Sequence, residues 1–278
     1  MLTISDHRRD SAGLTYVYPV VSRRAGGVSV GINLNVNNAC NWACSYCQVE
    51  NLTRGGPPPI DLGLLESELS GFLRDALVGD FLVREVPEGM RQLVDVAFSG
   101  NGEPTSAPEF AECVEIVRRV LAQSGLNSGL KIRLITNGSL LHRPAVQEGI
   151  RFLGVAGGEV WFKIDRVGAA STRQVNGVPL EPKVVLERLR TCATLAPTWV
   201  QTCWFAWDGQ YPSLEERAAY CNLLAEVAPL LAGVHLYGLA RPSLQPGASH
   251  LSRLPEAELV AFARDIQEKT GIQAQVSP

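Results

Sequence analysis

The sequence lacks several features that define common protein classes. It has 25 lysine and arginine residues against 28 aspartate and glutamate residues, so it carries no basic excess of the kind found in nucleic-acid-binding proteins. No stretch approaches the ~18 uninterrupted apolar residues of a membrane span, and the N-terminal MLTISDHRRD has charges where a signal peptide needs an apolar core. We therefore expect a soluble, cytoplasmic protein that has no membrane partner and for which nucleic acid is not a favoured partner.

Paired metal ligands are also scarce. No cysteine precedes position 40, no second C-x2-C pair occurs, and the four histidines form no H-x3-5-H pair. Structural zinc sites usually take their ligands from two such pairs. Three of the seven cysteines, Cys40, Cys44 and Cys47, nevertheless fall within eight positions. In a cytoplasmic chain this density indicates metal or redox chemistry rather than a disulfide framework.

Apolar and amphipathic segments alternate along the chain and predict an α/β fold. The strand candidates are residues 28–36, 92–99, 131–137, 159–165, 199–205 and 233–239, with a short last strand near 273–277. The helix candidates are residues 61–78, 107–123, 142–152, 182–195, 213–231 and 255–269. Six strand-then-helix units with short connections imply parallel strands joined by right-handed crossovers. We expect an irregular N-terminal extension over residues 1–27 and one core domain over residues 28–278.

The predicted strands alternate apolar and polar residues. Parallel strands covered on both faces normally read as continuous apolar runs. A closed eight-stranded barrel likewise fills its interior with branched apolar side chains. The alternation therefore predicts an open, partial barrel with a polar lumen that holds a ligand. The candidate lumen residues are Arg133, Lys163, Asp165, Gln201, His235 and Tyr237.

The three clustered cysteines follow the first predicted strand, at the edge where α/β folds place their active sites. One interpretation is chance placement on one helix face, at i, i+4 and i+7. A second is a zinc site completed by histidine, with four candidates: His7, His142, His235 and His250. A third is a four-iron cluster with one iron left open for a substrate or cofactor. The cysteines of the predicted helices, Cys113, Cys192 and Cys221, are interpreted as buried small hydrophobic residues.

The cysteine spacing resembles that of the radical S-adenosylmethionine (radical SAM) superfamily. The family pattern C-x3-C-x-Φ-C appears as C-NWA-C-S-Y-C, with Tyr46 in the aromatic position. FSGNGEPT at residues 98–105 is similar to the glycine-rich motif that holds the amino group of the methionine moiety, although Asn101 interrupts the glycine pair. The resemblance implies a partial (βα)6 barrel in which Gly102 and Glu103 bind the cofactor.

Further matches lie at the ends of later strands. LITNGS at residues 134–139 is similar to a family T-N-G, which implies that Asn137 faces the cofactor. WFKID at residues 161–165 ends the fourth strand, where family members place a residue that contacts the cofactor's ribose or carboxylate. Candidate cofactor-binding residues are thus Tyr46, Gly102, Glu103, Asn137, Lys163, Asp165 and Gln201. Lys163, Asp165 and Cys203 are candidate catalytic residues, with a structural ion pair and a plain buried cysteine as the alternatives.

The resemblance implies a single-cluster enzyme similar to the wyosine-synthase-related group, through S-G-x-G-E-P-T, T-N-G, K-x-D and YGLARP at residues 237–242. Cys40, Cys44 and Cys47 would ligate a 4Fe-4S cluster that reductively cleaves S-adenosylmethionine (SAM). The resulting 5′-deoxyadenosyl radical would abstract hydrogen from an unidentified substrate, with flavodoxin or ferredoxin as electron donor. The alternatives are a zinc-stabilised binding protein without catalysis and an enzyme that transfers the aminocarboxypropyl group of SAM.

Overall fold

A computed structural model describes residue 2 and residues 12–22, 26–126 and 129–277. The candidate zinc ligand His7 lies outside these residues. The chain divides into two compact units. Unit 1 comprises the described residues of Met1–Cys40, Gly55–Ile135 and Arg143–Glu159, and unit 2 comprises those of Asn41–Arg54, Thr136–His142 and Val160–Pro278.

Strands and helices alternate through most of the described chain. The strands are β1 (Val17–Ser22), β2 (Gly27–Ile32), β3 (Ala39–Cys40), β4 (Thr53–Arg54), β5 (Leu93–Phe98), β6 (Lys131–Thr136), β7 (Glu159–Lys163), β8 (Thr198–Cys203), β9 (Ala206–Trp207), β10 (Leu231–Tyr237), β11 (Leu251–Ser252) and β12 (Ala274–Ser277). The α-helices are α1 (Leu62–Leu77), α2 (Phe81–Glu85), α3 (Phe110–Gln123), α4 (Pro144–Val155), α5 (Ala169–Asn176), α6 (Pro182–Leu195), α7 (Leu214–Ala225) and α8 (Glu256–Thr270). No described helix is long and apolar enough to cross a membrane.

Unit 1 contains the first strands of the parallel array. Its strand order is β1-β2-β5-β6, with β2, β5 and β6 parallel and β1 antiparallel to β2. Helix α3 packs between α1 and α4. The buried side of α3 consists of apolar residues, among them Val114, Val117 and Leu121, because one stripe of an amphipathic helix must cover the sheet.

Unit 2 continues the same alternation with parallel strands. Apart from the first residue of β7, its strands are ordered β7-β8-β10-β12. The register places Lys163 of β7 beside Gln201 of β8, and Gln201 beside His235 of β10. Because paired residues of neighbouring strands point to the same face, these predicted lumen residues share one face of the sheet. Their neighbours Phe162, Val200 and other apolar residues of opposite parity are buried.

The six predicted strand-then-helix units are confirmed. Each predicted strand overlaps one of β2, β5, β6, β7, β8 and β10. The six predicted helices begin within three residues of the starts of α1, α3, α4, α6, α7 and α8, whereas α2, after α1, and α5, after β7, were not predicted. Local capping explains two of these starts. The Asp61 side chain accepts a hydrogen bond from the backbone N–H of Leu64, and Ser213 and Glu216 form a capping box at the start of α7.

The expectation of an irregular N-terminal segment is wrong for residues 17–22. These residues form β1, whose Pro19 lies opposite Val30. A proline inside a run of apolar residues argues against a central strand because it cannot donate a ladder hydrogen bond. β1 is the terminal strand of its sheet, where the missing donor is tolerated. The predicted domain boundary after residue 27 stays a prediction.

Candidate active site

The cysteine loop connects the two units. Cys40 ends β3 in unit 1, whereas Cys44 and Cys47 belong to unit 2. All three are half-buried and none is in a disulfide, while the other four cysteines, Cys113, Cys192, Cys203 and Cys221, are buried. The described residues include no group of three His, Cys, Asp or Glu side chains positioned to hold a single metal ion. The prediction that the helix cysteines Cys113, Cys192 and Cys221 are buried is confirmed.

Helix α5 anchors the part of the loop that lies in unit 2. The backbone N–H groups of Ala43 and Ser45 donate to the carbonyl oxygens of Asn176 (3.0 Å) and Val175 (2.8 Å). The Asn176 side-chain amide donates to Sγ of Cys44 (3.4 Å) and to Oδ2 of Asp165 (2.8 Å). Asn176 is 1% exposed, so both hydrogen bonds are shielded from water. One buried amide therefore holds a predicted metal ligand and a predicted cofactor-binding carboxylate.

Residues 243–245, which we call the clasp, hold the end of the cysteine loop. The carbonyl oxygen of Cys47 accepts hydrogen bonds from Leu244 N (3.0 Å), Ser243 Oγ (3.2 Å) and Gln245 Nε2 (3.2 Å). Ser243 also donates to the carbonyl of Ser45 at 2.6 Å, and Gln245 donates to that of Val49 at 2.8 Å. These carbonyls lie outside helices and strands, so the clasp supplies the partners that secondary structure does not.

The T-N-G segment fixes the beginning of the same loop. Asn137 donates to Oδ1 of Asn41 at 2.8 Å, and the Asn41 amide donates to Oγ of Ser139 at 2.7 Å. Gly138 has a φ of +67°, and a Cβ there would lie 2.1 Å from the Phe162 ring. Glycine is therefore required both by the left-handed backbone and by the close approach of Phe162. Asn137 positions the residue that follows Cys40, and its predicted contact with a cofactor stays a prediction.

Lys163 and Asp165 form the charged centre of the site. Lys163 Nζ lies 3.8 Å from Oδ1 of Asp165 and donates to the Tyr237 hydroxyl at 3.0 Å. The Tyr46 hydroxyl donates to Oδ2 of Asp165 at 2.5 Å, and the backbone N–H of Cys203 donates to Oδ1 at 2.9 Å. Asp165 thus receives hydrogen bonds at both oxygens, which fix the orientation of its side chain. The structural ion pair between Lys163 and Asp165, the alternative to a functional role, is confirmed as a contact. A cofactor-binding role for the two residues stays a prediction.

Burial changes the ionisation of the groups around this carboxylate. Burial alone would lower the pKa of Lys163, but the negative charge of Asp165 outweighs it and the pKa is raised. Burial, followed by the charge of Asp165, raises the pKa of Tyr46 well above its ordinary value. Burial also raises the pKa of Tyr237. At neutral pH Lys163 is therefore an ammonium, and Tyr46 and Tyr237 are neutral phenols.

Cys203 lies at the end of β8 in an apolar cluster with Val175 and Phe205, against which the rings of Tyr46 and Tyr237 pack. Burial raises the pKa of the Cys203 thiol, and the charge of Asp165 raises it further. The side chain is therefore a neutral thiol beside the charged centre. Its proposed part in hydrogen transfer stays a prediction.

Gln201 and His235 occupy the polar face of unit 2 in different ways. Gln201 is 6% exposed, and its amide forms no hydrogen bond to any residue that the structure describes. His235 stacks on Trp199, with ring centroids 4.5 Å apart, and also contacts Trp161 at 4.6 Å. Gln201 therefore offers an amide to a ligand, whereas His235 is packed between two indole rings.

The glycine-rich motif lies in unit 1 and is braced by asparagines. A Cβ on Gly102 would lie 2.1 Å from the carbonyl oxygen of Ala39 and 2.6 Å from the Asn35 side chain, so only glycine fits beside the residue before Cys40. Asn35 donates to the same carbonyl at 2.9 Å. Glu103 is buried, and its Oε1 accepts from the hydroxyl of Thr105 at 2.6 Å. The structure thus assigns this carboxylate a partner within its own turn.

Arg133 does not stand alone on the polar face of unit 1. It forms ion pairs with Asp95 and with Glu159, and the Lys131 ammonium lies 2.9 Å from the same Glu159. Asp95 also accepts a hydrogen bond from Ser29. Burial of Asp95 raises its pKa, and the charge of Arg133 opposes that increase. Arg133 therefore belongs to a buried ion-pair network, and its predicted substrate contact stays a prediction.

A pocket in unit 2 lies at the C-terminal end of β7. Its lining includes Trp42 of the cysteine loop, Asn137 of the T-N-G segment, Lys163 and Asp165 of the charged centre, and Asn176 of α5. Residues from four separate segments therefore converge at the strand end where α/β proteins bind ligands. The same lining also contains Arg188 of α6.

Three contributors were missed from the sequence: Asn176, Asn41 and the clasp. In the sequence, Asn176-Gly177 indicates only a turn. In the structure, it marks the end of the eight-residue α5. Asn41 lies inside the cysteine motif at a position that carries no ligand. The clasp follows the noted Arg241-Pro242, but nothing in its residue types indicates a distant loop as its partner.

Sequence comparison gives a match over part of the chain. No family model matches the chain. A "UPF0026 protein" from Helicobacter pylori is 26% identical over 163 residues, which cover 57% of this chain and 44% of that protein. The chain thus matches less than half the length of this curated relative.

Solved structures give a broader match. A radical SAM methyltransferase from Sphaerobacter thermophilus superposes with a TM-score of 0.59 and 17% identity, covering 94% of this chain and 68% of the other. The structure of anSMEcpe with bound AdoMet and a peptide gives a TM-score of 0.56 and 15% identity, covering 89% and 62%. The chain is therefore an α/β protein with the mostly parallel, partial-barrel fold of radical SAM enzymes, as its motifs predict.

Proposed function

We propose that the protein is a radical SAM enzyme in which Cys40, Cys44 and Cys47 hold a 4Fe-4S cluster. The observation that carries the proposal is the hydrogen-bond network of unit 2. In it, Asn176 joins Cys44 to Asp165, and Asp165 in turn contacts Tyr46 and Lys163. Within unit 2, Cys44 of the predicted cluster loop is therefore linked through Asn176 to Asp165, a predicted cofactor-binding residue.

The residues present fit such a cofactor. The three loop cysteines are half-buried and form no disulfide, and thiolates are the ligands that iron–sulfur clusters use. The donor from Asn176 to Cys44 is of the kind that stabilises a ligating sulfur. In unit 1, the carbonyl of Ala39 and the side chain of Asn35 pack directly against Gly102, so this turn of the motif admits only glycine. When bound, the cluster and SAM would supply a 5′-deoxyadenosyl radical that abstracts hydrogen from the substrate.

The remaining residues bind and orient. Lys163 supplies a buried positive charge for a carboxylate, and Asp165 supplies an acceptor for a hydroxyl or ammonium group. Gln201 adds an amide that no described residue uses. Tyr46 and Asn176 fix the Asp165 carboxylate, so that its orientation is set before a ligand arrives. Gly102 and Glu103 are assigned to the amino group of the cofactor by the motif they form.

We further infer a cytoplasmic enzyme that takes its electron from a flavodoxin or ferredoxin. None of the seven cysteines is in a disulfide, which fits a reducing compartment. The half-buried cysteine loop leaves a route by which a small redox partner can approach. The similarity of the motif series to the wyosine-synthase-related group makes a reaction on a small or nucleotide-like substrate one option, and either hydrogen abstraction or group transfer fits the site.

Anaerobic reconstitution with iron and sulfide tests the proposal. We expect a brown protein that yields 5′-deoxyadenosine from SAM and dithionite. A Cys44→Ala variant should lose both the colour and the product, whereas Cys113→Ala, in a buried helix position, should keep them. A colourless protein that retains zinc would contradict the proposal in favour of a binding protein. 5′-Methylthioadenosine as the product would indicate aminocarboxypropyl transfer.

A further inference from the structure

The pocket of unit 2 carries an excess of positive charge. Its lining contains three cationic side chains, Lys163, Arg166 and Arg188, and one carboxylate, Asp165. The chain as a whole has a net charge of −3, so this concentration is local. A concave site with one dominant sign of charge attracts ligands of the opposite sign.

Two of the three cations are engaged by the protein. Lys163 contacts Asp165 and the Tyr237 hydroxyl, as described above. Arg166 donates to the carbonyl oxygens of Asp165 (2.8 Å) and Phe205 (3.0 Å), and its Nε lies 3.7 Å from Glu216. These hydrogen bonds account for the burial of both charges.

Arg188 differs from the other two. It projects from the second turn of α6, is half-buried, and forms no hydrogen bond or ion pair with any residue that the structure describes. Burial lowers the pKa of Arg188, and the adjacent Glu187 only partly opposes this. Arginine remains protonated in proteins, so the charge persists at the pocket without a partner of its own. Partial burial of such a charge costs free energy that a ligand can offset.

We propose that Arg188 is a second anion-binding residue of this pocket, in addition to Lys163, and that its ligand is the carboxylate or phosphate group of a small molecule. A guanidinium binds either group through two parallel hydrogen bonds. Trp42 and Phe162 supply apolar surface in the same lining for the uncharged part of that molecule. Exposed Arg190, on the same helix, is held by Glu226 and has no such role.

Two sources of the anion are possible. One is the carboxylate of SAM itself, and the other is an anionic group on the second substrate. The proposed function thereby gains the charge of the ligand. The proposal rests on that function, because SAM and a second substrate are the two sources only if the protein is a SAM-dependent enzyme. Binding of a simple anion tests Arg188 without any need for turnover.

Calorimetric titration of the reconstituted protein with inorganic pyrophosphate provides this test. We expect Arg188→Gln to weaken pyrophosphate binding at least tenfold, Arg188→Lys to restore part of it, and the control Arg190→Gln to stay within twofold of the wild type. Thermal unfolding of each variant checks that the fold is kept. Equal affinity of wild type and Arg188→Gln, or no pyrophosphate binding by the wild type, would overturn the inference.

Titration with SAM and with decarboxylated SAM distinguishes the sources. If Arg188→Gln weakens binding of SAM but not of the decarboxylated form, the anion is the cofactor carboxylate. If SAM binds both proteins equally and pyrophosphate binds in its presence, the anion belongs to the second substrate. If the wild type binds pyrophosphate through Arg188 but forms no 5′-deoxyadenosine, the anion site stands and the proposed function fails.

Discussion

The side-chain amide of Asn176 lies 3.4 Å from Sγ of Cys44 and 2.8 Å from Oδ2 of Asp165. A donor to a ligating sulfur draws electron density from it and makes reduction of a cluster easier. The same donor keeps the Asp165 carboxylate in place. Asn176 therefore connects the electronic properties of the loop with the geometry of the charged centre.

Replacing Asn176 with leucine should lower the reduction potential of the reconstituted cluster. Loss of one hydrogen bond to a charged group, worth roughly 1.4 kcal/mol, corresponds to about 60 mV for a one-electron couple. A redox titration followed by electron paramagnetic resonance measures this shift. Gln174→Leu, an exposed amide on the same helix, serves as the control and should leave the potential unchanged. An unchanged reduction potential in Asn176→Leu would contradict the proposed effect of Asn176 on the cluster through Cys44.

Thiol alkylation should divide the seven cysteines into two groups. In the cluster-free protein we expect iodoacetamide at pH 8 to modify Cys40, Cys44 and Cys47, which are half-buried. The thiols of Cys113 and Cys192 should be protected, because burial raises the pKa of each to about 12 and little thiolate forms at pH 8. Peptide mass spectrometry gives the extent of modification at each site. Rapid labelling of either helix cysteine in the folded protein would contradict the structure.

Gly102→Ala should destabilise the protein by about 1–3 kcal/mol, the usual range for an overpacked site. The added Cβ would lie 2.1 Å from the backbone carbonyl of Ala39, which cannot move without disturbing Cys40. Urea denaturation of the cluster-free protein measures the free energy of unfolding.

The matched control is Gly71→Ala in α1. A Cβ there meets no atom within 4 Å, and alanine is the better helix former by about 1 kcal/mol. Gly71→Ala should therefore raise the free energy of unfolding. A stable Gly102→Ala protein with full iron content would show that the glycine is not required by close approach.

Arg133→Leu should cost about 3–5 kcal/mol of stability, because it leaves Asp95 and Glu159 buried without their shared partner. Adding Asp95→Asn to this variant should recover part of the loss by removing one unpaired charge. Arg118→Leu breaks an exposed pair with Glu115 and should change stability by no more than about 1 kcal/mol. Urea denaturation again provides the values. A stable Arg133→Leu protein would show that stability does not depend on this side chain, which would favour a substrate-binding role for Arg133.

The sequence predicts those parts of the fold and site that depend on local patterns. The alternation of apolar and polar residues in β5, β6, β7, β8 and β10 predicts the fold class. The cysteine motif C-NWA-C-S-Y-C identifies the loop. The partners of the loop are not predictable in this way. Asn176 and the clasp act through hydrogen bonds between residues more than a hundred positions apart, and a single asparagine or glutamine does not indicate its partner. The ion pairs of Arg133, which join three strands, were not predictable for the same reason.

The clasp also sets an order of events during synthesis. Its hydrogen bonds to Cys47 and Val49 join residues 196 to 198 positions apart, so they form only after residue 245 has left the ribosome. Closing so long a loop costs chain entropy that later packing must offset. A shorter nascent chain therefore presents its three thiols on an unfinished loop. We expect assembly of a metal centre to follow synthesis of the clasp rather than accompany translation of the cysteine loop.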